Sequence, residues 1–181
     1  MMDKTKTMLT RGAFGALSLA AVVALSGCQS AATKDPAVSD AKACSLLKNV
    51  IGQAGSDFKS LKGTATVDYD HTRWDTQPIL PGTDCDILGW GSGRTNFACT
   101  WDKANEATAR SDYASGVSLV KNCLGPEWKT SKPAGQTGEA TRFATTGSPT
   151  VVELRTYREL APATGWQTSL TVGPPINRDA R

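Results

Sequence analysis

From Cys44 onward, apolar side chains recur at intervals of three and four. Cys44, Leu47, Ile51, Ala54, Phe58 and Leu61 share one face of a helix that the spacing carries to Gly63. A second stripe, Ala109, Tyr113, Val117, Val120 and Leu124, runs through ANEATARSDYASGVSLVKNCLG and stops at Gly125-Pro126, a pair that does not continue a helix. Between and after these helices the period changes to two. Strands are predicted at 64–69, 84–90, 95–101, 140–145, 150–157 and 166–172, and the last alternates cleanly, Trp166, Thr168, Leu170 and Val172 against Gln167, Ser169 and Thr171. The order is therefore α-β-β-β-α-β-β-β. Strands joined by short turns pair antiparallel, and helices with one apolar stripe cover one face of the resulting sheet, so the predicted fold is an α+β two-layer domain. The two halves also align with each other: FKSLKG at 58–63 matches WKTSKP at 128–133, and TRW at 72–74 matches TRF at 141–143. This predicts an internal repeat of helix plus meander.

Ahead of the domain the pattern is different. Lys4, Lys6 and Arg11 precede an apolar run, Gly12 to Ala24, that is too short to span a bilayer as a mature helix. The run ends in Leu25-Ser26-Gly27-Cys28, a leucine, two small residues and a cysteine. This resembles the lipobox of bacterial lipoproteins. The resemblance covers only residues 1–28 and implies that 1–27 are removed as a signal peptide and that Cys28 is acylated. Two or three acyl chains hold a protein on a bilayer where one is only marginal, since each buried methylene contributes about 0.8 kcal/mol. Gln29 in place of an aspartate after the lipidated cysteine implies outer-membrane sorting, on the periplasmic face, in a Gram-negative cell. Residues 29–40, QSAATKDPAVSD, lack aromatics and periodicity and read as a flexible tether, so that 28–40 is the lipidated linker, 41–173 a single globular domain and 174–181 a tail.

Setting Cys28 aside leaves Cys44, Cys85, Cys99 and Cys123. An even number in an exported domain predicts two disulfides, and the absence of C-x-x-C spacing, with one histidine in the chain, argues against zinc. Folding TDCDILGWGSGRTNFACTW about Ser92 puts Cys85 opposite Cys99 on the buried face of a hairpin. Cys44 then pairs with Cys123 by elimination, joining the start of the first helix to the end of the second.

Charge changes the picture little. Removing Lys4, Lys6, Arg11 and Asp3 with the leader takes the formal charge from +3 to near +1, and no basic stripe remains to argue for nucleic acid. The densest polar cluster is Asp68-Tyr69-Asp70-His71, followed by Trp74-Asp75 and by Asp84 and Asp86. A histidine among carboxylates could serve acid–base or metal chemistry, but the same residues accumulate in exposed turns for backbone reasons, and the turn is the expectation here. GSGR at 91–94 lacks the following Lys-Ser/Thr and helix of a phosphate loop, and no serine sits in G-x-S-x-G. Trp90 at the hairpin tip, with Arg94 beside it, is the candidate partner-binding site, because Trp and Arg are enriched in interface hot spots. Trp74, Trp101, Trp128 and Trp166 are expected in or at the edge of the core.

These observations predict an envelope lipoprotein, held to the lipid bilayer through Cys28, whose domain binds another envelope protein as an accessory, inhibitor or immunity factor. No catalytic residue, metal or cofactor is expected. Binding of a small molecule, lipid or glycan between helices and sheet is the alternative, and a roomy apolar pocket would favour it. An enzyme would require titratable side chains converging around His71.

Overall fold

The computed structural model of the protein describes residues 39–68, 71–133, 138–159 and 164–176. The predicted signal peptide, Cys28 of the lipobox-like motif and the predicted tether up to residue 38 lie outside the described residues, as do Tyr69, Asp70 and the end of the C-terminal tail. Two α-helices, α1 (Asp40–Gln53) and α2 (Glu106–Leu124), pack on an eight-stranded antiparallel sheet. The α+β two-layer fold is as the periodicities require.

Each helix begins in the same way. Ser39 accepts a hydrogen bond through its side chain from the Lys42 amide at 3.4 Å, and Asn105 does so from the Thr108 amide at 3.0 Å. Each cap is followed by an acid, Asp40 or Glu106, suited to the positive end of the helix. Helix α1 ends ten residues before Gly63. Asp57 and Phe58 both adopt the left-handed conformation (φ 54° and 56°), which breaks the stripe into short 3-10 turns at Ala54–Ser56 and Lys59–Leu61. The apolar spacing was kept while the helix was not, and Phe58 reaches the core by a backbone turn.

The strands are β1 (Ala65–Val67), β2 (His71–Asp75), β3 (Thr83–Trp90), β4 (Thr95–Trp101), β5 (Lys129–Ser131), β6 (Glu139–Ala144), β7 (Val151–Glu159) and β8 (Gly165–Gly173). Six of them correspond to the predicted runs. Two are additional: β2, built from the residues read as a turn, and β5, whose three residues are all exposed and offer no alternation to detect. The order is thus α followed by four strands, twice. In the sheet the strands lie β1-β2-β3-β4-β8-β7-β6-β5, an arrangement that reads the same when the halves are exchanged. Each meander runs from an outer edge inward, and β4 and β8 meet at the centre through Phe97↔Val172 and Cys99↔Leu170. The internal repeat is present as topology.

The register builds the core row by row. Trp74, Ile87, Phe97, Val172, Val152 and Phe143 stand side by side across six strands on the face under the helices. The next row is Cys85, Cys99, Leu170 and Leu154. Leu47 and Val50 of α1 and Val120 of α2 close over them, all but fully buried. Gly116 lets α2 approach the sheet, for a Cβ there would come within 2.7 Å of Leu154 Cδ2. Both disulfides join the predicted partners: Cys85–Cys99 bridges directly opposed positions of β3 and β4, and Cys44–Cys123 links the first turns of α1 to the last turn of α2. Trp74, Trp101 and Trp128 pack half-buried against the core, and Trp166 carries the Arg110 guanidinium over its ring at 5.1 Å.

The opposite face of the sheet is polar yet partly buried. Glu153 and Arg155, neighbours on one face of β7, are 4% and 7% exposed. Arg142 on β6 donates to Glu153 Oε2 from both Nε and Nη2 at 2.8 Å. A buried carboxylate is tolerated only with such charge-assisted donors.

Candidate interaction surface

The hairpin that joins β3 to β4 has a three-residue loop, Gly91-Ser92-Gly93. The Trp90 amide donates to the Arg94 carbonyl and the Gly93 amide to the Trp90 carbonyl, each at 2.9 Å, and Gly93 takes the positive φ of 76° that closes such a loop. The hairpin is therefore centred on Ser92, and Trp90 stands opposite Arg94. Since Cys85 and Ile87 point to the helices, Trp90 falls on the other face. On its far side it pairs with His71 of β2.

Arg94, just ahead of β4, Trp90 of β3 and His71 of β2 thus form a row at one corner of the sheet. The rings of His71 and Trp90 lie 5.8 Å apart, tilted by 37°. His71 Nε2 is 3.2 Å from Asp68 Oδ2, so the imidazole is held between a carboxylate and an indole. Trp90 itself is half-buried, and its Nε1–H is shielded from solvent with no hydrogen-bond partner among the described residues. Arg94 is exposed and donates from Nε to Ser92 Oγ at 3.2 Å. Val67, on the edge strand β1, is 78% exposed, the most exposed large apolar side chain among the described residues, but it stands opposite Thr72 and so projects to the helix side of the sheet, away from the His71–Trp90 row. Val67, Asp68, His71, Thr72 and Trp90 line a shallow depression of about 360 Å³.

The remaining polar candidates do not gather there. Asp75 and Asp86 are cross-strand partners, and Asp84 lies two residues along β3 on the same face. Burial raises the Asp86 carboxyl above the usual carboxylate range; Arg73, 3.7 Å away, opposes the rise, while Asp75 and Asp84 add to it. Four residues of extended strand, about 13 Å, separate His71 from Asp75. Trp74 projects to the helix face, where its ring covers Gly89 and carries the Lys62 ammonium at 3.8 Å. Of this cluster, His71, Asp75, Asp84 and Asp86 are thus spread along two strands on one face, with Trp74 on the other. No group of three or more His, Cys, Asp or Glu is placed to hold a metal among the described residues.

A second concavity was not foreseen. A cleft of about 550 Å³ opens between α1, the chain after the left-handed turn and the β2–β3 connection, with Val50, Ile79 and Phe97 at its floor. A signal for it existed in the sequence only as Ser60, Lys62, Gly63 and Thr64 around Leu61 at the end of a helical stripe, which does not reveal an opening. Among the described residues no helix is long and apolar enough to cross a membrane. Comparison with known protein families, characterised proteins and solved structures found no match.

Proposed function

We propose that this chain is a bacterial envelope lipoprotein, anchored through an acylated Cys28, whose domain acts without catalysis as a binding module for another envelope protein, of the accessory, inhibitor or immunity kind. The observation that carries this reading is the corner formed by Trp90, His71 and Arg94. It combines a large aromatic fixed by its hairpin with a flanking cation, residue types in which binding energy concentrates at protein interfaces. The spread of His71 and the aspartates along β2 and β3 supports a binding role over acid–base chemistry. The two disulfides suit an oxidising compartment.

The tether would enter the domain at Ser39, so a pull from the membrane would load α1 first, and Cys44–Cys123 would pass it to α2. The test is a pull-down of the tagged, lipidated protein from its native membrane after mild crosslinking, with Trp90→Ala as the comparison. A single stoichiometric protein partner, retained by the parent chain and lost in a folded Trp90→Ala variant, is expected. Recovery of no protein partner would overturn the reading and shift the function to ligand binding.

A further inference from the structure

We propose that the cleft between α1 and the β2–β3 connection is a binding site for a small neutral amphiphile, a molecule with an apolar body and an uncharged, hydroxyl-rich head such as a short alkyl glycoside. This site shares no residue with the Trp90 corner and does not depend on the protein-binding reading. Its volume of about 550 Å³ is in the range of small-molecule sites, and its floor of Val50, Ile79 and Phe97 with Leu46 and Leu61 at the sides is apolar. Around the mouth stand Asn49, Ser60, Thr64, Thr76 and Gln77, hydrogen-bonding groups without charge. Two charged residues of opposite sign stand at the rim. Lys62 lies over the Trp74 ring, Asp75 shares the opposite sheet face with Asp86, and one cation with one carboxylate at the rim offset each other, so neither charge sign is favoured in a ligand.

The backbone gives independent support. Two consecutive non-glycine residues in the left-handed region cost about 1–2 kcal/mol each, and strain of this kind is kept where the surrounding structure enforces it, often beside a functional site. Here the strained pair ends the α1 trajectory, drives Phe58 into contact range of Phe97 (ring centroids 6.2 Å apart) and sends Ser60–Thr64 away from α1 to make the far wall. That wall is fixed: the Gly63 amide donates to the Asp75 carbonyl at 2.8 Å and the Asp75 amide to the Thr64 carbonyl at 3.0 Å. The cleft is therefore preformed, which reduces the ordering cost of binding.

The experiment is photo-crosslinking of the full lipidated chain in bilayer nanodiscs with a hexyl glucoside that carries a diazirine in its alkyl chain, followed by mapping of the adducts. Saturable labelling concentrated within 46–50, 60–64 and 76–79, competed by unlabelled hexyl glucoside, is expected. Asn49→Trp, which plugs the mouth from an exposed helix position, should cut that labelling at least about tenfold with an unchanged melting temperature. If Asn49→Trp does not fold, Ser60→Trp plugs the cleft from the opposite wall and carries the same expectation. Adducts spread over the domain in proportion to exposure, adducts confined to the Trp90 corner, or cleft labelling undiminished by a folded plug variant would each overturn the proposal.

Discussion

Breaking the bridge between the helices tests how far the domain depends on a covalent link between distant parts of its chain. In the Cys44→Ser/Cys123→Ser variant the 79-residue separation is no longer closed in the unfolded state. The chain-entropy relation gives a loss of about 4.5 kcal/mol at 25 °C, against about 3 kcal/mol for the 14-residue separation of Cys85–Cys99. Direct packing loss is small at Cys44, which is half-buried, and modest at Cys123, where a buried hydroxyl adds about 1 kcal/mol. Domains of this size are stable by about 5–15 kcal/mol, so the variant would fold with little margin. Urea unfolding of parent and variant, followed by tryptophan fluorescence, reads both consequences. The midpoint should fall, and the slope of free energy against urea should rise, because an unlinked unfolded chain exposes more surface. A loss below about 1.5 kcal/mol with an unchanged slope would refute the reasoning, since it would mean that the unfolded chain was not restrained by the bridge.

Three further outcomes are expected. Asp86 has its carboxyl raised by burial, so the folded state binds its proton more tightly than the unfolded state; the resulting destabilisation is complete above the raised value and disappears as pH falls below the ordinary one. Asp86→Asn should therefore gain stability at neutral pH relative to acid, and a parallel pH–stability curve for parent and variant would show the burial cost to be absent. Asp57→Gly relieves left-handed strain at an exposed site, a gain of about 1–2 kcal/mol partly offset by about 0.5–1 kcal/mol of backbone entropy, and a lower urea midpoint would contradict it. Cys28→Ser should leave an unprocessed chain that incorporates no acyl label, and undiminished labelling would rule out Cys28 as the lipidation site.

The periodicities, the cysteine spacing and the turn residues decided much of this protein, because each is a local rule. Stripes at three and four set the helices, alternation set six strands, and Gly91-Ser92-Gly93 set the hairpin that opposes Cys85 to Cys99. The row of Trp90 and Arg94 follows from that hairpin alone, and so both were legible. That β2 runs beside Trp90 and brings His71 to its ring was not, since Asp and His residues look alike in a turn and on a polar strand face. Nor could alternation reveal that Glu153 and Arg155, apparent surface positions, are buried, with Glu153 held by Arg142. The helix stripe continued through Phe58 in sequence, yet the backbone left the helix at Asp57, because burying Phe58 against Phe97 outweighs two strained dihedral pairs. The cleft is the product of that long-range competition. Local patterning fixes which residues face inward, whereas concavities and buried charge pairs arise from contacts between segments far apart in the chain, whose energies exist only once β4 and β8 have brought the two halves together.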